Sequence, residues 1–170
     1  MKRIKSFLSV TLLLAIATDS CSQKPSPGNS SIVGHYVAST PCTQGTRPLP
    51  GIQSASDCEL MKWNLTLYQD ELKKTPTTFK LHCTYGLPKQ GTTGFIGGGN
   101  VIDIEGMWTI GNGMASDPAA VVYHLNDSKT NKTISFLKLN DNLLHLLDND
   151  RHLMIGSAAW SYTLNRTDNR

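Results

Sequence analysis

A chain of 170 residues with 16 Lys and Arg against 13 Asp and Glu is long enough for one domain with a real core. Lys2, Arg3, Lys5 and Asp19 all fall in the first 20 residues, so the rest of the chain carries 13 basic and 12 acidic groups. A near-neutral remainder with no basic cluster excludes nucleic acid and polyanionic ligands as partners, because phosphate binding needs a concentrated positive face.

The first predicted element is a leader. The basic start is followed by an apolar run from Phe7 to Ala17, the length of a secretory h-region. It is too short to span a bilayer, which needs about 20 apolar residues. The run ends in "TDSC". Asp19 suits an ordinary secretory peptidase site poorly, whereas a bacterial lipoprotein signal ends immediately before a cysteine whose thiol receives diacylglycerol. Residues 1–20 are therefore read as a lipoprotein signal and Cys21 as the lipidated residue. The competing reading is an unmodified cysteine beside a conventional cleavage site. Residues 21–31 hold Ser, Pro, Gly, Asn, Gln and Lys and no core former until the domain, the composition of a tether. The expected address is the bacterial outer membrane. No acidic cluster follows Cys21 to argue for export to the cell surface, so the domain is expected to face the periplasm.

From residue 32 to 166 the pattern has period two, the strand signature. "KWNLTLY" places Trp63, Leu65 and Leu67 on one face with Asn64 and Thr66 on the other, and "TFKLHCTY" repeats this with Phe79, Leu81, Cys83 and Tyr85. Further strands are expected over 34–39, 101–110, 119–126, 133–139, 143–147 and 157–164. In the last of these, Trp160, Tyr162 and Leu164 share a face. Turn formers separate the runs: "GNG" at 111–113, "NDSKTN" from Asn126, "NDN" from Asn140 and "DND" from Asp148. About eight short strands joined by hairpins, with no long helix, predict an all-β, up-and-down antiparallel barrel of lipocalin-like type; a sandwich is the alternative. Two stretches, 40–57 and "GLPKQGTTGFIGGGN" from Gly86, read as long loops, where such folds usually keep function.

The segments "GHYVASTPC", "SDCELMKWNLTLYQD", "TFKLHCTYG", "IEGMWTIGNG" and "LLHLLDNDRHLM" resemble the amino-terminal barrel of NlpE-type envelope lipoproteins, also called copper-homeostasis lipoproteins. The resemblance covers roughly residues 34–164. It implies a barrel of six or more strands and a role in sensing envelope state or handling copper. The family's loop holds its two cysteines in a tight Cys-x-x-Cys, whereas "TQGTRPLPGIQSASD" separates Cys42 from Cys58 here.

Copper would want thiolate, thioether and imidazole ligands, and the candidates are Cys42, Cys58, Met61, His82 and Cys83. His82 and Cys83, as strand neighbours, point to opposite faces and cannot share one metal. Cys83 reads as a buried apolar residue. The expectation is no metal and no other cofactor. His145, Asp148, His152 and Ser157 flank turns without a nucleophile elbow, so no enzyme activity is expected. "DND" lacks the other positions of a calcium loop, and the glycines at 97–99 lack the Lys and Ser/Thr of a phosphate loop. Trp63, Phe79, Trp108, Phe136, Trp160 and Tyr162 are expected to fill the core.

The chain is thus expected to be a non-enzymatic envelope lipoprotein, attached to the membrane through Cys21 and engaging an envelope protein through its two long loops. The alternatives are a lipocalin-like carrier of a small apolar ligand and an inhibitor of a cell-wall hydrolase. With Cys21 lipidated, three cysteines remain, which predicts one bridge and one thiol. Cys42 and Cys58 lie outside the cleanest strands and can adopt disulfide geometry, so they are expected to pair and leave Cys83 buried as a thiol.

Overall fold

The computed structural model describes residues 30–43, 49, 52 and 57–168. The leader, Cys21 and most of the expected tether lie outside these residues. Eight strands follow in order: β1 (Ser30–Pro41), β2 (Leu60–Asp70), β3 (Pro76–Gly86), β4 (Asn100–Met114), β5 (Asp117–Asp127), β6 (Thr133–Asn140), β7 (Leu143–Leu146) and β8 (Thr163–Arg166). Each pairs antiparallel with its neighbour in sequence, and β8 returns to β1 with Tyr36 opposite Arg166 and Val37 opposite Asn165. The barrel predicted from alternation is therefore closed.

Alternation also builds the interior. Trp63, Leu65 and Leu67 are buried, as are Phe79, Leu81, Cys83 and Tyr85 on the neighbouring strand. Together with side chains from every other strand they form a single cluster. The Trp63 ring on β2 meets Phe136 on β6 edge-on, with centroids 6.1 Å apart, so side chains from distant walls meet inside. Both buried indoles have partners: Trp63 Nε1 donates to Thr40 Oγ1 at 2.8 Å and Trp108 Nε1 to the Tyr68 carbonyl at 2.6 Å.

Two glycines are fixed by close approach rather than by turn chemistry. At Gly34 a β-carbon would come within 2.9 Å of the Tyr36 ring and 3.2 Å of Arg166 Nε, which explains the Gly-x-Tyr spacing in β1. At Gly106 it would overlap the Asn126 carbonyl oxygen and press on the Phe79 ring, which explains the Gly in "GMW".

Four expectations need correcting. Strand β1 begins at Ser30, with Ser30 and Ser31 paired to Asp70 and Gln69, so the first strand starts four residues before the expected 34. "GNG" is not a turn: β4 continues to Met114 with a register shift between Asn112 and Met114, and Gly113 takes φ 97° there as a bulge would. The reversal falls at 115–116 instead. The last strand is Thr163–Arg166 and does not begin at Ser157, because Ser157 and Trp160 exchange backbone hydrogen bonds across a tight turn. Trp160 consequently points out, at 44 % exposure, and is not part of the core.

Connections in an up-and-down barrel alternate between its two ends. Those over 42–59, 87–99, 128–132 and 147–162 leave the end where β1 finishes. Those over 71–75, 115–116 and 141–142 leave the end where β1 begins. All three long connections thus start from the end opposite Ser30. The third of them first folds back along the outer wall, where Leu147 packs with Val122 and Leu137 and the Ala115 N–H donates to the Arg151 carbonyl at 2.9 Å.

Candidate functional site

The end opposite Ser30 is built by two shaped loops. Cys42 and Cys58 form the expected disulfide, with Cα atoms 5.3 Å apart, and Cys83 is a buried thiol. The Cys42 N–H donates to the Glu59 carbonyl and the Glu59 N–H to the Gly86 carbonyl, both at 3.2 Å, so the feet of the 42–59 loop are stitched to the sheet. Leu49 is buried against the core and Ile52 packs beside it. Leu49 and Ile52 therefore place apolar side chains against the interior from this connection.

The 87–99 loop is a small hairpin. Pro88 bridges to Phe95, the Lys89 N–H donates to the Gly94 carbonyl at 3.0 Å, and the Ile96 N–H donates to the Leu87 carbonyl at 2.9 Å. Thr92 Oγ1 bonds the Lys89 carbonyl and accepts from the Gly94 N–H, closing the tip. Phe95 is buried, Lys62 Nζ lies 5.6 Å from its ring centroid, and the same ammonium donates to the Thr93 carbonyl. Gly97, Gly98 and Gly99 have φ of 65°, 85° and 77°, a left-handed run that other residues resist. The glycine triplet thus returns the chain to β4 beneath Phe95. Between the two loops lies an open groove of about 280 Å³ lined by Asp57, Gly86, Leu87, Ile96, Gly97, Gly99 and Asn100. A second depression of about 330 Å³, lined by residues including Lys80, Glu105 and Met107, sits on the β3–β4 wall.

The soft-ligand candidates do not converge. Cys42 and Cys58 are bonded to each other, Met61 and Cys83 are buried inside, and His82 faces out, 2.8 Å from Asp103. Burial pushes the Cys83 thiol well above its ordinary range. Four histidines each meet their cross-strand neighbour: His35 with Thr66, His82 with Asp103, His124 with Ser135 and His145 with Thr163. These are ladder partners in register, so the pairs act as cross-strand ties. His145 Nε2 also lies 2.9 Å from the Met154 carbonyl, so both ring nitrogens are engaged and neither is turned to Ser157. Ser157 Oγ instead accepts from the Ala159 N–H at 3.3 Å.

Asp148, Asp150 and His152 place one ligand atom each within 4.8 Å of the others, the one such trio among the described residues. All three are exposed. Asp148 Oδ1 accepts from the N–H groups of Asp150 and His152 at 2.9 and 2.8 Å, which accounts for the trio as a turn organised by one carboxylate.

One surface feature was not anticipated. From Leu153 to Asn165 no side chain carries a formal charge, yet Leu153, Ile155 and Trp160 are exposed. The signal was present in that uncharged run, but a run of apolar residues reads as core until the turn at 157–160 is known. Comparison with protein-family models, with curated proteins and with solved structures found no match.

Proposed function

We propose that the chain is a non-enzymatic lipoprotein of the bacterial envelope, NlpE-like, whose barrel presents its loop-bearing end to an envelope protein as a sensing or interaction module. In this reading Cys21 carries the lipid at the outer membrane, the domain faces the periplasm, and the sensed condition is envelope stress or copper status, as the resemblance implies. The observation that carries the proposal is the asymmetry of the barrel. The disulfide-closed loop and the Phe95 hairpin leave the end opposite Ser30, while the chain that would lead back to Cys21 enters at the other. A tether at one end and loops at the other suit a module held at a membrane through one end and read at the other. The aromatic contact across the interior supports this reading over a carrier, whose ligand would need that space.

The test compares the full chain with a variant in which residues 44–56 are replaced by a short Gly/Ser bridge between the retained cysteines. Both are expressed in the envelope and recovered with their partners after crosslinking. A specific protein crosslinked to the parent and lost from the variant, with the melting curve of the barrel kept, supports the reading. Identical crosslinking patterns from the two chains would overturn it.

A further inference from the structure

The turn over 153–160 is held rigidly with its apolar side chains outward. At one foot Met154 packs against the core, and its N–H donates to the Leu146 carbonyl at 3.1 Å. At the other foot Tyr162 is buried, and its carbonyl accepts from the Leu146 N–H at 2.9 Å. Between them the Ser157 N–H donates to the Trp160 carbonyl at 2.9 Å and the Trp160 N–H to the Ser157 carbonyl at 3.3 Å. Gly156 passes so close to the Trp160 carbonyl that no β-carbon fits between them. The result is a fixed display of Leu153, Ile155 and Trp160, with Ile155 89 % exposed. An apolar group shown to solvent on a pinned turn marks a contact surface.

The same side of the barrel carries little charge. The turn runs into β8, where Thr163 and Asn165 are uncharged and Arg166, its last residue, is held by Asp168 and the Val33 carbonyl, and β8 lies against β1, which contains no Asp, Glu, Lys or Arg. Ile32 and Val37 of β1 are exposed as well. A wall whose charge is confined to the Arg166–Asp168 ion pair at the end of β8, with a tryptophan at its other margin, has the chemistry of a headgroup boundary, where indole is favoured.

Chain length decides what this wall can meet. Nine peptide steps separate Cys21 from Ser30, a span of at most about 30 Å. Strand β1, with 12 residues, rises about 40 Å along its own direction and about 30 Å along a tilted barrel axis. A lipid on Cys21 therefore keeps the Ser30 end within about one barrel length of the bilayer, and a wall running from Ser30 toward 153–160 has the slack to lie flat on it.

We propose that the β8–β1 wall and the 153–160 turn rest on the anchoring membrane, with Ile155 and Trp160 in the headgroup region. The inference rests on the lipoprotein reading above and adds an orientation to it: the 87–99 loop, rooted on β3 and β4, stays clear of the lipid.

The test uses the full chain, processed and lipidated in a bacterial host, in vesicles of phosphatidylethanolamine and phosphatidylglycerol with and without brominated acyl chains. Trp63 and Trp108 are buried, so Trp160 is the exposed reporter. The expected result is quenching of tryptophan emission by the brominated lipid that disappears in Trp160→Phe. Ile155→Asp is expected to weaken it with the melting curve unchanged, since Ile155 touches little of the fold. Equal emission in the two lipids, or equal quenching in Trp160→Phe, would overturn the proposal. Unquenched Trp160 in a chain that sediments as a dimer would assign the turn to a contact between copies instead. The mass of the Cys21 peptide separates the two readings: a chain without lipid sinks the anchor and this proposal with it. A lipidated chain with unquenched Trp160 sinks this proposal alone.

Discussion

Replacing Gly106 with alanine tests how the barrel closes. Gly106 stands where β4 leaves its pairing with β3 alone and takes on β5, opposite Phe79 on one side and Asp127 on the other. A methyl group there would overlap the Asn126 carbonyl oxygen, lie 3.0 Å from the carbonyl carbon and reach within 3.1 Å of the Phe79 ring. Two of those three atoms are backbone, so no rotamer change relieves the clash. β5 must move away, and it is held by Asp127, whose carboxylate accepts from the Lys129 N–H at 2.9 Å and the Thr130 hydroxyl at 2.5 Å. Overpacking of this kind costs about 1–3 kcal/mol, and a rigid neighbour puts the cost near the upper figure. For a domain of this size that lowers the melting temperature by about 9 °C. The control is Gly94→Ala, which meets only Thr92 Oγ1 at 3.6 Å and is expected to change stability by less than about 0.5 kcal/mol. Thermal melts followed by circular dichroism give both values. A Gly106→Ala chain melting within about 2 °C of the parent would refute this account of the close approach.

The Cys42–Cys58 bridge, with a separation of 16 residues, is expected to contribute about 3 kcal/mol. Reducing agent should bring the parent down to the stability of the Cys42→Ser, Cys58→Ser double variant and leave that variant unmoved; a parent insensitive to reduction contradicts this. Cys83, buried with its thiol pushed up, should resist maleimide in the native protein at pH 8 and react on unfolding, whereas rapid native labelling would place it at a surface. Tyr36 is pushed up to about 12, chiefly by burial and against the pull of Arg166. Its folded value lies above the ordinary 10.0, so the stability it contributes is fully present below pH 10 and is lost as pH rises toward 12. Burial pushes Tyr123 up as well, so absorbance titration should show phenols ionising above the ordinary range, and the late part of that signal should shrink in a Tyr36→Phe chain without vanishing.

Much of the barrel was legible because alternation in "KWNLTLY" and "TFKLHCTY" is enforced by a filled interior: a one-residue slip would turn Trp63 and Phe79 into water. The two long loops were legible from Pro and Gly, and their placement at one end follows from being the first and third connections of a meander. The third long connection was hidden. Trp160, Tyr162 and Leu164 keep period two, but the backbone bonds between Ser157 and Trp160 break the strand before Tyr162, and no local preference announces a turn in "GSAAW". "GNG" misled for the opposite reason, since a glycine with positive φ serves a bulge as well as a hairpin, and only pairing with β5 decides between them. The disulfide was legible by exclusion, because Cys83 alternates with core residues. The groove between the loops was not, because it depends on how Gly97 and Gly99 turn the chain beneath Phe95.

The account stands most directly on which end of the barrel touches a partner. A photocrosslinking residue placed at Ile96, exposed on the loop-bearing end, is compared in intact envelopes with the same residue at Leu72, exposed on the end where β1 begins. The account predicts a discrete protein adduct from position 96 and none of that mass from position 72. The same adduct from both positions, or one from position 72 alone, would contradict it.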